Sequence, residues 1–341
     1  MLLMKNVLYI GNKLNNKTSN LSGIQTLGPL LENEGVSVQY SSSKLNKLLR
    51  LLDMVWSCFK LSKQVDVVLI DTYSTQNFYF AFLVSQLCRI LNLDYIPILH
   101  GGNLPMRLKS SPKMSKMIFK NAKYNVSPSG YLKSAFQTYG YTNILHIPNT
   151  LKIKGYPFLL KTYDTPRLLW VRSFSEIYNP QLAVKVLSAL KKVYPNAQLC
   201  MVGPDADGSR KNVENLAKDL NVTIKFTGKL KKKEWIELSK DYNVFINTTN
   251  FDNTPVSVIE AMALGLPVVS TNVGGMPYLI EHDVDGILVA PNEPQVMSSE
   301  IISIINNSER RTVLVENARK KAEKFDWNHI KLLWFKALNS N

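Results

Sequence analysis

Short apolar runs alternate with segments of helical period along the whole chain. In the first half the runs are NVLYIG (6–11), VSVQY (36–40), DVVLID (66–71), YIPILH (95–100), YNVSPS (124–129) and ILHIPN (144–149). In the second they are RLLWVRS (167–173), AQLCMVG (197–203), IKFTG (224–228), NVFINT (243–248), PVVSTN (267–272) and GILVA (286–290). Runs that are apolar at successive positions, rather than at every second one, are the pattern of strands buried on both faces. The segments between them read as helices; GIQTLGPLLENEG (23–35) ends on a glycine suited to a C-cap. Strands alternating with helices predict an α/β protein with parallel sheets, and two such sets predict two Rossmann-like domains. The irregular stretch LKIKGYPFLLKTYDTP (151–166) is the expected join.

Length and composition agree with this pattern. The 341 residues suit two domains, and 45% hydrophobic with 20% charged residues is ordinary for a globular chain. No apolar run reaches the roughly 18 residues needed to cross a bilayer. MLLMKNVLYIG reads as a buried first strand and lacks a secretion-signal layout, which makes the cytoplasm the expected address. Cys58, Cys88 and Cys200 are far apart and without metal-ligand spacing, so reduced buried thiols are expected.

The net charge of +15 is distributed unevenly. Residues 1–150 hold 16 Lys+Arg against 6 Asp+Glu, whereas the remaining 191 hold 25 against 20. No acid occurs between Asp94 and Asp164, a stretch of 69 residues with ten Lys/Arg. Such a field suits an anionic partner: a membrane surface, a phosphorylated substrate or a nucleic acid. A generically basic surface is the plainer alternative. No helix-turn-helix, finger or RNP-like pattern accompanies the charge, and no nucleic-acid partner is expected.

One segment carries candidate chemistry. In FDNTPVSVIEAMALG (251–265), Asn253 or Thr254 suits an N-cap and Pro255 the first helical position. The next free amides belong to Val256, Ser257 and Val258. They lie at a helix start with partial positive charge, and the Ser257 hydroxyl adds a donor, which together suit a phosphate. Glu260 lies three residues after Ser257, on the same face, where a carboxylate can accept two hydrogen bonds from a vicinal diol such as a ribose. Asp252 then lies beyond the phosphate end. The alternative is a buried Glu260 satisfied by the backbone and an Asp252 that belongs only to a loop.

FDNTPVSVIEAMALGLPVVSTNVGGMPYLIEHDVDGILV resembles the signature of retaining family 4 glycosyltransferases of the GT-B fold: an acid, seven residues, a glutamate, a glycine-proline-type turn, a valine strand and a Gly-Gly loop. NLSGIQTLGPLLENEGVSV resembles that family's glycine-bearing first loop and helix, and YIPILHGGNLP its histidine loop. HIPN, IKFTGKL, YNVFINT and the terminal FDWNHIKLLWFKALN extend the likeness over essentially the full length. The resemblance implies two facing Rossmann-like domains, residues 1–155 on the acceptor side and 156–324 on the donor side. It also implies a closing helix, 325–341, packed on the first domain.

It further implies transfer of a sugar from a nucleoside-diphosphate donor to an acceptor hydroxyl, with retention, without a metal or a further cofactor, in synthesis of a bacterial surface polysaccharide. Glu260 would bind the donor ribose, and the Val256 and Ser257 amides its diphosphate. Asp252 would contact the donor sugar, His100 would stand near the anomeric centre, Gly23 would approach the phosphates, and Arg172 would clamp them. Two departures stand out. The first acid is usually a glutamate, and the basic residue usually found five or six positions after the arginine is replaced by Ile177 or Tyr178. Lys229 and Lys231 are the candidate substitutes. A GT-B epimerase is the neighbouring alternative. DAD (205–207) and DVD (283–285) sit in turn contexts and are not expected to bind metal.

Arg107, Lys109, Lys113, Lys116 and Lys120 follow the candidate histidine, in the part of the chain assigned to the acceptor. KLNKLLRLLDMVWSCFKLSK (44–63) reads as a basic, apolar-rich helix with Trp56 and Phe59. Core packing is the plain expectation for that helix. Together the two segments suit peripheral attachment to an anionic membrane bearing a lipid-linked saccharide acceptor.

Overall fold

The computed structural model describes residues 5–14 and 22–340. All twelve apolar runs form strands. The chain divides into two compact units, Met1–Pro148 with Ile330–Asn341, and Asn149–His329.

The first unit holds β1 (Asn6–Ile10), α1 (Gly23–Asn33), β2 (Ser37–Ser41), α2 (Lys47–Leu61), β3 (Val67–Thr72), α3 (Asn77–Ile90) and β4 (Asp94–Leu99). It continues with α4 (Leu104–Ser110), α5 (Pro112–Phe119), β5 (Asn125–Ser127), α6 (Gly130–Thr138) and β6 (Ile144–His146). Its parallel sheet runs β2-β1-β3-β4-β5-β6. Both faces of the sheet are covered, which is why its strands need no polar alternation. Leu8, Ile10, Val68 and Ile70 pack with Met54, Cys58, Ala81 and Val84. Each Leu, Ile, Val or Met among them contributes about 1.5–3 kcal/mol on burial. Cys58, Cys88 and Cys200 are free and buried, as expected.

The second unit begins with β7 (Arg167–Val171), α7 (Pro180–Lys191), β8 (Gln198–Val202), α8 (Ser209–Asp219), β9 (Lys225–Gly228), α9 (Lys232–Leu238) and β10 (Val244–Asn247). It then forms α10 (Val256–Ala263), β11 (Val268–Thr271), α11 (Met276–Leu279), β12 (Ile287–Val289), α12 (Pro294–Asn306) and α13 (Ser308–Glu323). Its strand order is β12-β11-β10-β7-β8-β9, again parallel. The division at Pro148/Asn149 falls a few residues before the expected join. Residues 149–155 stay with the second unit because Leu151 exchanges backbone hydrogen bonds with Phe325 (2.9 Å) and Trp327 (3.0 Å). The Ile153 amide also donates to Asp326 Oδ2 at 2.9 Å. The last helix, α14 (Trp327–Asn339), belongs to the first unit from Ile330 onward, where Lys331 pairs with Glu34 at 3.0 Å.

In a doubly wound sheet, ligands bind beyond the carboxyl ends of the strands where the strand order reverses. That point lies between β1 and β3 in the first unit and between β7 and β10 in the second. No helix among the described residues is long and apolar enough to cross a membrane.

Candidate functional site

In the first unit, the switch point is organised around Asp71, near the end of β3. Its carboxylate is buried, accepts from Tyr9 Oη at 3.0 Å and from the Ile24 amide at 3.3 Å, and meets His100 Nε2 at 2.7 Å. Tyr9 lies on β1, Ile24 in the first turn of α1, and His100 directly after β4. Burial, and then the Asp71 charge, raise the Tyr9 phenol well above its ordinary value, so it stays a neutral donor. The His100 ring is stacked on Tyr73 at 4.8 Å. Gly23 is required by close approach: a Cβ there would lie 2.7 Å from His100 Cε1. The sequence pointed to Gly23 and His100 and missed Asp71. An acid ending an otherwise apolar strand, in DVVLID, was the available signal.

In the second unit, Arg172 follows β7 and Asp252 follows β10, so both lie at the switch point. They form an ion pair, with each side chain mostly buried. Burial pulls the Arg172 guanidinium below its ordinary value, and Tyr178, whose ring centroid lies 4.3 Å from the guanidinium carbon, opposes that shift. Tyr178 and Ile177 occupy the place of the missing base. Their carbonyls hold the loop after β10, through Thr248 Oγ1 (3.0 Å) and the Asn250 amide (2.8 Å).

The Gly274-Gly275 pair backs the acid loop. The Gly275 amide donates to the Asp252 carbonyl at 2.8 Å, and a Cβ on Gly275 would lie 1.8 Å from the Asn253 carbonyl oxygen. Only glycine permits that approach.

The start of α10 differs from the expected cap. Pro255, in extended conformation, is the N-cap, and the helix begins at Val256. Neither Asn253 nor Thr254 is the N-cap: a proline at φ −68° and ψ 119° ends the extended segment one residue later. Its carbonyl accepts the Val258 amide at 3.1 Å. Among the described residues, the first-turn amides left without a partner are those of Val256 and Ser257, not that of Val258. Ser257 Oγ is buried with no hydrogen-bond partner among the described residues.

One turn on, Glu260 is 2% exposed and is satisfied by side chains rather than by backbone. Tyr156 Oη donates to its Oε1 at 2.7 Å, and the Lys232 ammonium pairs with the same oxygen. Burial, then Glu260, push the Tyr156 phenol above its ordinary value. The cation at this acid is Lys232. Lys231 instead caps α9, its amide donating to Glu234 at 2.7 Å. A run of four lysines, 229 and 231–233, could not show which one reaches Glu260.

Residues 158–321, a stretch within the second unit, match the family described as glycosyl transferases group 1. A D-inositol 3-phosphate glycosyltransferase of Corynebacterium kroppenstedtii is 24% identical over 167 residues, covering 47% of this chain and 37% of that protein. An uncharacterized glycosyltransferase of Methanocaldococcus jannaschii is 27% identical over 244 residues, covering 70% of this chain and 66% of that one. The chain therefore spans less than two thirds of the length of these relatives. Among solved structures, HepE of Anabaena, in complex with UDP and glucose, superposes with a TM-score of 0.78 at 17% identity, over 99% of this chain and 100% of that one.

The chain has the GT-B fold. In this GT-B chain, the acid–seven residues–glutamate block forms the loop after β10 and the helix α10, at the second unit's switch point. Asp205 and Asp207 cap the turn before α8, through Gly208 (2.9 Å) and Ser209 (3.1 Å). Asp283 pairs with Arg310 and Asp285 with Lys321. Among the described residues no group of three or more His, Cys, Asp or Glu is placed to hold a metal ion.

The basic residues after His100 are not equivalent. Arg107 is largely structural: it donates to the Ser74 carbonyl at 2.7 Å and lies over the rings of Phe78 (5.1 Å) and Tyr79 (5.3 Å). Lys109, Lys113 and Lys116 are exposed on α4 and α5, and Lys120 is exposed at the C-cap of α5.

Proposed function

We propose that the protein transfers a sugar from a nucleoside-diphosphate donor to an acceptor hydroxyl with retention of configuration. One observation carries this reading. The start of α10 offers two free amides and the unpartnered Ser257 hydroxyl, at the same switch point as the buried Arg172 cation, with an acid one turn further along the helix. Amides, hydroxyl and guanidinium suit a diphosphate; Glu260 suits a ribose. The glycosyltransferase relatives, and a fold neighbour solved with UDP and glucose, support the same class.

In the proposed reaction the bond from C1 to the phosphate oxygen breaks, and the acceptor oxygen bonds to C1 on the same face. The acceptor proton passes to the departing phosphate. Arg172 and the helix start stabilise the charge that develops there. Asp252, oriented by Arg172, serves the sugar hydroxyls, and His100, fixed by Asp71, is the first unit's candidate catalytic group. No metal and no further cofactor enters this scheme. The acceptor is a lipid-linked saccharide of bacterial surface polysaccharide synthesis, met at the inner face of the cytoplasmic membrane, where Lys109, Lys113, Lys116 and Lys120 face anionic headgroups. That part rests on the acid-free basic stretch.

Calorimetric titration with UDP, GDP, ADP and their sugar conjugates tests the donor assignment. Saturable binding of one diphosphate, lost in Ser257→Ala/Glu260→Gln, is expected; no binding across the series overturns it. Product anomer analysis by NMR tests retention, and a trapped glycosyl ester on Asp252 would overturn the one-step scheme. Epimerised donor in the absence of any acceptor would make the protein an epimerase instead.

A further inference from the structure

The helix α2 is apolar on two opposite faces. Met54 and Cys58 point into the first unit's core. Leu45, just before the helix, and Leu48, Leu49, Leu52, Trp56 and Phe59 lie on the other side, each between 50% and 74% exposed. Their spacing of three, four and seven residues places them on one stripe about 100° wide. A surface helix usually turns such a stripe to the core, and an exposed contiguous patch of this size marks an interaction site.

The stripe is held in place. Asn46 caps the helix through the Leu48 (2.9 Å) and Leu49 (3.2 Å) amides. The buried Arg50 guanidinium grips the carbonyls of Lys44 and Leu45, both at 2.8 Å. Lys44 stands at one end of the stripe, Lys60 and Lys63 at the other; Lys47 turns away from it and donates to Gln76 Oε1 at 2.6 Å. Asp53 is the lone acid of this segment, and its carboxylate accepts from Ser41 Oγ at 3.2 Å.

We propose that α2 lies in the plane of an anionic lipid bilayer, with this stripe inserted at the headgroup–acyl boundary and Lys44, Lys60 and Lys63 on the phosphates. An apolar face with lysines at its margins is the arrangement of interfacial helices, which sink about 5–10 Å into the boundary. Charge selects this occupant over a second copy of the chain, since a two-fold contact through the stripe would bring like-charged lysine clusters together. The inference deepens the membrane side of the proposed function by naming the element that enters the lipid; it does not depend on the donor assignment.

Trp56 provides the readout. It is the exposed tryptophan, whereas Trp170, Trp235, Trp327 and Trp334 are at most 7% exposed. On adding phosphatidylglycerol/phosphatidylcholine vesicles, the emission should shift to the blue and be quenched by bromines on the lipid chains. Both signals should vanish in Trp56→Phe. Leu52→Gln/Trp56→Gln should weaken co-sedimentation by at least about tenfold. Changing Lys44, Lys60 and Lys63 to Gln should weaken it only on anionic vesicles, and high salt should do the same to the wild type. All variants should keep the wild-type thermal shift with nucleoside diphosphate. The proposal is overturned if the wild-type emission does not move, or if Leu52→Gln/Trp56→Gln sediments as well as the wild type. It is also overturned if the stripe instead sustains a dimer that the same variant dissociates. Loss of nucleotide binding in the wild type would overturn the donor reading and leave this one standing.

Discussion

Asp71 in the first unit and Glu260 in the second are both buried carboxylates near sheet switch points, yet they are built for different work. Asp71 is enclosed by a phenol from β1, a backbone amide from the start of α1 and an imidazole that follows β4. Little of its acceptor capacity is open to a newcomer. Glu260 is met by a phenol and by the ammonium of Lys232, whose own side chain is half exposed. An ammonium on a flexible stem can exchange one anion for another, so this pair can open when a ligand arrives. Beside it, Ser257 Oγ and two amides remain unspent. A saturated network positions a side chain; an incompletely saturated one binds.

The largest expected effect separates the two clusters most sharply. Arg172→Ala leaves Asp252 buried without its cation and removes the leaving-group charge stabilisation, so turnover should fall by about a thousandfold. Steady-state kinetics check this, and a loss below about tenfold would mean that Arg172 only supports the loop. Next, Asp71→Ala should cost about 2–4 kcal/mol in urea denaturation, because the Tyr9 hydroxyl and the Ile24 amide lose a buried acceptor. Asp71→Asn should keep most of that stability while lowering kcat, because it replaces the charge that orients His100. Equal activity in Asp71→Asn and wild type would remove the positioning role.

Glu260→Gln should weaken nucleoside-diphosphate binding by about tenfold, measured by calorimetry, since a neutral amide replaces a charge-assisted acceptor. Asp252→Asn should reduce turnover more than affinity. If both lose affinity equally, the division between ribose and sugar contacts fails. Gly23→Ala should lower kcat by roughly tenfold or less, with nucleotide affinity unchanged, by pressing the His100 ring off Asp71 and Tyr73.

The smallest effect lies outside both clusters. At Asp326, burial raises the carboxyl pKa, but hydrogen bonds from the Asn328 and Ile153 amides more than offset it, so the folded value lies below the ordinary one. The stabilisation is then complete above the unfolded pKa of about 3.9 and is lost as pH falls through the folded value. Asp326→Asn should flatten that acid limb by under about 1 kcal/mol while leaving donor binding untouched.

Much of this was legible in the one-dimensional pattern. Continuous apolar runs such as VVLI and VFI became central parallel strands because a strand covered on both faces favours apolar residues at successive positions. Pro255 marked the start of α10 to within a residue, and the Glu260 spacing placed the acid on the helix face of Ser257. These are local properties, governed by backbone geometry and a period of two or 3.6 residues.

The tertiary structure decided what depends on strand order. It brought Asp71 to His100 across 29 residues because β3 and β4 are neighbours in register, and no local rule contains that pairing. It brought Lys232, of the four lysines between 229 and 233, to Glu260, because reach depends on where α9 starts relative to α10. It turned six large apolar side chains on or beside α2 away from the core, although their periodicity is that of a buried face. A sequence period states that a helix has an apolar stripe; the packing of its neighbours determines which stripe is covered and which is left for a partner.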